Sequence, residues 1–390
     1  MHCGAELLVL RLLEGMSSFG HTIDMIAFDS TGLGENCVAK SFRSLCRDII
    51  IHRPGPAARW YSPRRLVSMP SRATAGTLQL QTPEFLGSLR KVVSNTNFDV
   101  VIFCALRMTY FANKILGGVK IAFPIDCHSL ALERAKRPLN PLKRLNWELH
   151  KMKTKRMESA YERFSACVFV APDDASRARQ ISPGINAICI PNGVDTDYFR
   201  PTGCDEDNCS VAFIGAMGHP PNVEAVLWFS THVWPRLVAH NANAKFYVVG
   251  ANPTDQIRGL SNSRNVFVTG TVPDVRTYIN RVQVLVVPMQ SGGGIKNKVL
   301  EGMASSKPIV ANMLAVAGIE HVEPQRHFVL AEKPIEFSDA ILSLWENAQK
   351  RRQIGESARD LSIEHHAWAQ TQCKWENLLQ GFAASSQPVH

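Results

Sequence analysis

Apolar positions along the chain follow two periods, one typical of amphipathic helices and one of short buried strands. Leu8, Leu12 and Met16 recur every four residues, which predicts a helix over residues 5–19. A second helix is predicted over residues 83–95. Apolar runs that predict strands lie at 21–29, 48–52, 98–104, 120–124, 167–170 and 187–190. This alternation of strands and helices favours a parallel sheet.

The alternation restarts in the second half of the chain, after a polar, turn-rich stretch at 201–208. Strands are predicted at 210–214, 245–249, 265–269, 284–288 and 307–311, and helices at 222–238, 275–282, 296–305 and 334–348. We therefore predict an α/β fold with two Rossmann-like domains, at 1–195 and 196–365. A last amphipathic segment, in 366–390, is long enough to cross back to the first domain.

Length and composition agree with two globular domains, because a chain of 390 residues exceeds the usual size of one domain. The ten cysteines form no C-x-x-C pair and most lie in apolar runs, so we expect neither a disulfide framework nor a metal site. No stretch approaches the roughly 18 apolar residues of a membrane helix, and the N-terminus lacks a signal-peptide pattern. These features predict a cytoplasmic protein.

Positive charge is concentrated in one segment of this basic chain, whose formal net charge is +9. Residues 134–156 hold nine lysines or arginines and a single acid, Glu148. One interpretation is a helix that faces the core and exposes a basic face, since apolar residues keep roughly helical spacing at Leu145, Leu149, Met152, Ala160 and Phe164. The other is a surface for anionic lipid headgroups, where each cation contributes about 1 kcal/mol, or for a phosphorylated acceptor. The second interpretation predicts peripheral attachment to the inner face of the cell membrane.

The segment from Pro288 to Ala304 carries the most specific chemistry, because it follows an apolar strand and begins a helix. Ligands bind at such turns in doubly wound sheets. Gly292, Gly293 and Gly294 allow close approach of the backbone to a ligand, and the helix N-terminus favours a phosphate. Two lysines in the first turn oppose the helix dipole, so a bound anion is expected to offset them; they are Lys296 and Lys298.

Glu301 lies two helical turns beyond Gly294 and therefore shares roughly one face with the glycine turn. A carboxylate in this place can accept two hydrogen bonds from a ribose diol. The strand, the three glycines, the two lysines and the spaced glutamate together predict a site for a nucleoside diphosphate.

Three segments of the chain resemble the retaining GT-B glycosyltransferases of family four. They are the glycine-rich turn, Ile190–Asp195 with Tyr198–Pro201, and Val268–Asp274. Phe213–Asn222 and the lysine-containing form of the turn are most similar to a branch used in bacterial exopolysaccharide assembly. The resemblance implies two domains that face each other across a cleft. It also implies transfer of a hexose from a nucleotide diphosphate sugar, a co-substrate, to a saccharide or lipid-linked acceptor with retention. No cofactor is implied.

The resemblance also implies roles for individual residues of the second domain. Glu301 would hold the donor ribose, and Lys296 with Lys298 would bind the diphosphate and ease its departure. Gly293 stands where many members have a glutamate that touches the transferred sugar, so backbone groups of the turn would replace that contact. The complete donor-binding set is Gly215, Thr271, Val272, Gly292, Gly293, Gly294, Ile295, Lys296, Lys298 and Glu301.

The first domain is implied to serve the acceptor. Gly4 and Glu6 resemble a Gly-Gly-Ala-Glu turn that in this family follows a first β-strand, and only Met1–Cys3 precede Gly4 here. The first sheet is therefore expected to lack its central strand. Asp126 and His128 follow an apolar strand, and either can contact the sugar or take the acceptor proton. With Lys296 they form the predicted catalytic set, and a purely structural role for His128 is the alternative.

Other functions fit parts of the same pattern. The glycine at 293 and the short N-terminus also suit a catalytically silent protein that binds nucleotide sugars or scaffolds an assembly. A nucleotide-sugar epimerase can use the same two-domain fold. Nucleic-acid binding is not expected, because the basic segment contains no interleaved aromatic residue beyond Trp147.

Overall fold

A computed structural model of the chain describes residues 4–29, 42–56, 73–115, 117–135 and 137–385. The chain divides into two compact units. Unit 1 comprises Met1–Ile190 with Thr371–His390, and unit 2 comprises Pro191–Gln370. Both units contain parallel sheets together with helices, so the prediction of an α/β fold is confirmed.

Unit 1 holds its strands in two separate parallel sheets. β1 (Asp24–Phe28) pairs with β2 (Asp48–His52) in the smaller sheet. The larger sheet has the order β3 (Val100–Cys104), β4 (Val119–Ile125), β5 (Ala166–Phe169) and β6 (Ala187–Cys189). No strand among the described residues joins β1 to β3.

The helices of unit 1 connect these strands. They are α1 (Gly4–Ser18), α2 (Ala75–Gln79), α3 (Pro83–Asn95), α4 (Leu106–Thr109), α5 (His128–Arg134), α6 (Pro141–Glu158) and α7 (Pro172–Ile181). The start of α3 is encoded locally, because Thr82 accepts a hydrogen bond from the backbone of Phe85 and a proline opens the first turn. Phe85 is fully buried, and its ring packs against Phe28 and Phe111. Short 3₁₀ segments follow at Tyr110–Lys114 and Ser159–Arg163.

The basic segment forms α6, but its apolar side chains do not all face the core. Leu142 is 72% exposed, Leu145 60% and Met152 41%, and Leu139 just before the helix is fully exposed. The interpretation of a core-facing helix is therefore wrong for Leu145 and Met152. Only the last turn of α6 is deeply buried, through Thr154, Met157 and Glu158.

Unit 2 contains one six-stranded parallel sheet with the order β12-β11-β10-β7-β8-β9. Its strands are β7 (Asp207–Ile214), β8 (Lys245–Val249), β9 (Val266–Gly270), β10 (Val282–Val287), β11 (Ile309–Ala311) and β12 (Val329–Leu330). Every residue of β10 is buried, as expected for a central strand that helices cover on both faces.

The helices of unit 2 largely follow the predicted pattern. They are α8 (Pro220–His232), α9 (Trp234–His240), α10 (Asp255–Gly259), α11 (Arg276–Arg281), α12 (Asn297–Ala304), α13 (Met313–Val316), α14 (Pro334–Glu346) and α15 (Ala348–His365). The single helix predicted over 222–238 is divided into α8 and α9, because Pro235 cannot donate the hydrogen bond that would continue α8. Helix α15 was not predicted.

The last helix, α16 (Trp368–Ser385), begins in unit 2 and belongs to unit 1 from Thr371 onwards. Within unit 1, the buried ring of Trp375 packs edge-on against Phe123 with a centroid separation of 4.9 Å. Gln372 donates a 2.8 Å hydrogen bond to the carbonyl of Arg11 on α1. None of the helices in the described part of the chain has both the length and the apolar character needed to span a bilayer.

Candidate active site

The strand order of unit 2 reverses between β7 and β10. From β7 the chain proceeds outwards through β8 and β9, and it then returns to the opposite side of β7 to form β10. Open α/β sheets bind ligands at the carboxyl ends of their strands, where this order reverses. Gly215 follows β7 and the glycine turn at 292–294 follows β10. The sheet topology therefore brings two of the predicted donor-binding segments to one point.

Glycines also occupy the carboxyl ends of the neighbouring strands, and they allow close contact between loops. Gly215, Gly250 and Gly270 have φ angles of 156°, 147° and 66°, which other residues rarely adopt. A Cβ atom on Gly250 would lie only 1.8 Å from the carbonyl oxygen of Gly215. The loops after β7 and β8 are thus in backbone contact, which no side chain at position 250 would permit.

The glycine turn is closed by one of its own lysines. Gly292 and Gly294 have φ angles of 106° and 65°, whereas the φ of Gly293 is not in the positive range. The Nζ of Lys296 donates hydrogen bonds of 2.7 Å to the carbonyl oxygens of both Gly293 and Gly294. Ile295 is buried beside them. Lys296 therefore stabilises the shape of the turn to which it was assigned as a diphosphate ligand.

Lys298 lies between the two loops that meet at the reversal point. Its Nζ donates a 2.5 Å hydrogen bond to Oδ1 of Asn222 and lies 4.3 Å from the centre of the Phe213 ring. A Cβ atom on Gly215 would come within 3.1 Å of the same ammonium. Asn222 also donates a 3.0 Å hydrogen bond to the carbonyl of Ala216. The ammonium of Lys298 is thus held beside the backbone of the β7 loop.

Glu301 follows on the same helix, and both charged groups have shifted pKa values. Burial lowers the pKa of Lys298 to about 7, and the charge of Lys296 contributes to this shift. Burial also raises the pKa of Glu301 to about 7, although the nearby charge of Lys298 opposes the increase. Such shifts are frequent at binding and catalytic sites, where charged groups are kept in partly desolvated places.

Two further positions complete the edge of unit 2. Thr271 and Val272, predicted to present backbone groups to the base, directly follow β9, with Thr271 exposed and Val272 buried. His219 was missed as a candidate. It precedes α8, and the pKa of its exposed imidazole is lowered by partial desolvation and by the charges of Lys298 and Lys296. The sequence feature that could have identified His219 is its place in the loop that follows β7.

The candidate residues of unit 1 lie in the turn after β4. This strand ends at Ile125, whose φ of 74° is rare for a β-branched residue. Asp126 is half-buried, and His128 is exposed at the start of α5. Partial desolvation, followed by the positive charges of Arg107 and His150, lowers the pKa of His128. The lowered pKa favours the neutral ring, which is able to accept a proton.

The other predicted acceptor-side residues lie at the start of α1. Gly4 is the first residue of this helix, and Glu6 is half-buried in its first turn, where a carboxylate is favourable for the helix dipole. Residues 1–3 lie outside the described part of the chain. Within the described ranges, no group of three or more His, Cys, Asp or Glu side chains is arranged to hold a metal ion.

Comparison with protein families decides the class of the chain. The model described as "Glycosyltransferase Family 4" matches residues 3–198, and the model described as "Glycosyl transferases group 1" matches residues 208–347. The chain belongs to glycosyltransferase family 4. The two matches together extend over both halves of this family member.

Curated relatives are distant. This family 4 glycosyltransferase is 21% identical over 215 residues to an uncharacterised 44.6 kDa protein in the cps region of Klebsiella pneumoniae. It is 24% identical over 234 residues to the phosphatidyl-myo-inositol mannosyltransferase of Mycobacterium tuberculosis. These matches cover 52% and 56% of the chain. They span only 53% and 61% of the relatives' own lengths.

Solved structures share the fold over almost the whole chain. Sucrose-phosphate synthase from Thermosynechococcus elongatus has a TM-score of 0.71 at 16% identity, with 98% of this chain and 94% of that chain covered. Anabaena HepE in complex with UDP-glucose has a TM-score of 0.70 at 13% identity, with 98% and 97% covered. The family 4 chain therefore has the two Rossmann-like domains of the GT-B fold.

Proposed function

We propose that this protein transfers a hexose from a nucleotide diphosphate sugar to a saccharide or lipid-linked acceptor, with retention, in cell-surface polysaccharide synthesis. The observation that supports this most is the arrangement at the strand-order reversal of unit 2. There the glycine turn, Lys298 and Glu301 share one sheet edge with the N-terminus of α12. Backbone amides, an ammonium and the helix dipole together favour a diphosphate.

In the proposed reaction, the diphosphate leaves with negative charge that the site stabilises. Lys298 extends from α12, and its ammonium, held beside the β7 loop, contacts the phosphate oxygens. Lys296 stabilises the glycine turn and adds a second charge. Groups that are already oriented stabilise developing charge without reorganising, so this contribution favours the transition state. Glu301 accepts hydrogen bonds from the ribose hydroxyls.

Unit 1 supplies the proposed acceptor chemistry. His128 is exposed, and its lowered pKa favours the neutral imidazole that can take the proton of an acceptor hydroxyl. Asp126 directly precedes this turn of α5 and contacts the transferred sugar in the same proposal.

The relatives support this choice of substrates. One is a mannosyltransferase that acts on phosphatidyl-myo-inositol, and another is encoded in a cps region. Anabaena HepE was solved with UDP-glucose bound. By analogy, we propose a nucleotide diphosphate hexose as donor and a lipid-linked or saccharide acceptor for this chain.

The site is tested by donor binding and by transfer of radiolabelled sugar in parallel. Lys298→Ala and Glu301→Ala should each abolish both, whereas Lys350→Ala and Glu346→Ala, at positions outside the site, should change neither. Lys296→Ala should lower transfer because the turn loses its internal ammonium. Full activity of Lys298→Ala or Glu301→Ala would contradict the assignment.

We also propose that α6 attaches the protein to an anionic membrane surface. The exposed side chains of Leu142 and Leu145 flank Lys143 and Arg144, so apolar groups and cations share one surface. The double variant Leu142→Ser/Leu145→Ser should lose sedimentation with vesicles that contain anionic lipid. Ile335→Ser, which removes an apolar side chain of unit 2 that is 51% exposed, should not. Equal binding of both variants would overturn this proposal.

A catalytically silent nucleotide-sugar-binding or scaffold protein is the second candidate. The glycine at 293 favours it, since many family members carry a glutamate there. A nucleotide-sugar epimerase is the third. Calorimetric binding of the donor without any turnover would favour the silent protein, and a changed sugar in the absence of acceptor would favour the epimerase.

A further inference from the structure

Two buried carboxyl groups lie directly behind the 126–129 turn of unit 1. Glu158, the last residue of α6, accepts a 3.0 Å hydrogen bond from the backbone nitrogen of Ser129 and a 3.6 Å contact from the thiol of Cys127. Asp174, in the first turn of α7, accepts a 3.0 Å hydrogen bond from the backbone nitrogen of Cys127. Glu158 is fully buried and Asp174 is 2% exposed.

These carboxyl groups are costly to bury. Among the residues that the structure describes, the second oxygen of each, Oε2 of Glu158 and Oδ2 of Asp174, has no hydrogen-bond partner, and neither has the hydroxyl of Tyr161 nearby. A buried polar atom without a partner costs roughly 1–3 kcal/mol. Burial accordingly raises the pKa of both carboxyl groups above their ordinary values. A core built for stability alone would use apolar side chains at these positions.

The turn itself has little local support. The φ of 74° at Ile125 is a strained conformation, and such strain persists only where the surroundings impose it. Cys127 occupies the N-cap position of α5 but makes no side-chain capping bond. The amide of Ser129 in the first turn of α5 therefore depends on an acceptor from elsewhere in the fold. Glu158 supplies that acceptor from α6.

We propose that Glu158 and Asp174 are positioning residues, which hold the backbone of the 126–129 turn so that Asp126 and His128 face the substrate in one fixed geometry. The part of this inference that concerns catalysis rests on the proposed function. Neither carboxyl group touches substrate; both act through the backbone amides of Ser129 and Cys127. We call these two hydrogen bonds, from the amides of Ser129 and Cys127 to Glu158 and Asp174, the clamp. Displacement of a catalytic group by about 1 Å can reduce a rate on the order of 100-fold, so a clamp that fixes the turn would favour catalysis.

Amide-resolved hydrogen exchange on the full chain tests the clamp without reference to activity. Glu158→Ala should accelerate exchange at the Ser129 amide about 10- to 100-fold, and Asp174→Ala should do the same at the Cys127 amide. Leu89→Ala, which removes a buried side chain of α3 from the same core, is the matched control and should affect neither amide selectively. Unchanged exchange at both amides in folded variants would overturn the clamp.

Kinetics then test the role of the clamp in transfer. Glu158→Ala should lower kcat about 10- to 100-fold and leave the Kd for the nucleotide sugar unchanged, because the proposed donor site lies in unit 2. Glu158→Gln should restore most of kcat, since its amide oxygen can still accept from Ser129. Equal loss in the Gln and Ala variants, or an equal loss in Leu89→Ala, would contradict the positioning role. If the wild-type chain neither binds nor transfers sugar, the proposed function fails, and hydrogen exchange still decides whether the clamp exists.

Discussion

Asn222 accepts a hydrogen bond of 2.5 Å from the ammonium group of Lys298, although the two residues are 76 positions apart in the chain. One lies in the first turn of the helix after β7, and the other lies in the first turn of the helix after β10. Their contact therefore crosses the point where the strand order reverses. Because the same amide binds the carbonyl of Ala216, Asn222 connects the β7 loop to the charge expected to meet a diphosphate.

Removal of this amide should weaken donor binding. In Asn222→Ala, Lys298 loses its fixed acceptor and the ammonium becomes free to turn away, so the Kd for a nucleotide sugar should rise about tenfold. Asn280→Ala is the matched control, because it also removes a buried amide with a 3.0 Å bond to a backbone carbonyl of unit 2. Calorimetry should show an unchanged Kd in the control; equal weakening in both variants would mean that the effect is only loss of stability.

The glycine turn should respond differently at adjacent positions. Gly293 has open space where a Cβ would lie and no positive φ, so Gly293→Ala should leave the midpoint of thermal unfolding essentially unchanged. Gly294 has a φ of 65°, and Gly294→Ala should cost about 1–2 kcal/mol. Thermal unfolding of both variants, measured without ligand, checks this. The same loss at both positions would show that the turn does not have the backbone geometry described above.

Contact between the β7 and β8 loops should make Gly250 intolerant of any side chain. Gly250→Ala places a Cβ against the carbonyl of Gly215 and should lower the free energy of unfolding by about 3 kcal/mol or more. Gly259→Ala is the control, since nothing lies near its Cβ position and alanine favours the helix that ends there. Chemical denaturation should show a stability no lower than wild type for the control, and a small effect at position 250 would contradict the close approach.

Burial of Asp174 should make the stability of the protein depend on pH. Burial raises the pKa of Asp174 from 3.8 to about 6, so its stabilising contribution is complete below pH 3.8 and is lost as the pH rises through about 6. Asparagine does not ionise, so Asp174→Asn should gain stability relative to wild type between pH 4.5 and 7.5. The gain should approach about 3 kcal/mol.

Denaturation at a series of pH values measures this difference. Asp173→Asn is the control, because the neighbouring carboxyl group is 61% exposed and pairs with Arg134 at the surface. This variant should not reproduce the gain in stability of Asp174→Asn. A difference for Asp174→Asn that does not change with pH would show that burial does not disfavour the ionised carboxyl group.

Helices and strands could be predicted where the pattern of apolar residues in the sequence matches the side chains that are buried. The helix Pro83–Asn95 and the strands Asp48–His52 and Lys245–Val249 have the predicted bounds. A strand that is buried on both faces has a continuous run of apolar residues in its sequence. A capping threonine followed by proline is typical of the start of a helix. Pattern was misleading in α6, where Leu145 and Met152 have core-like spacing but are exposed. The spacing of apolar residues indicates which residues share one face of a helix, but it does not indicate whether that face contacts the core or the solvent.

By itself, the sequence determined the α/β class, the two rounds of strand–helix alternation and the family, and it predicted the segment proposed here to bind a diphosphate. Each of these depends on residues that are close together in the chain or on a motif that can be read in order. Only the tertiary structure decided that Lys298 meets Asn222, that Lys296 closes the glycine turn, and that two buried carboxyl groups hold the turn before α5. These contacts depend on which strands become neighbours, and that choice is made by packing across the sheet and not by any local pattern.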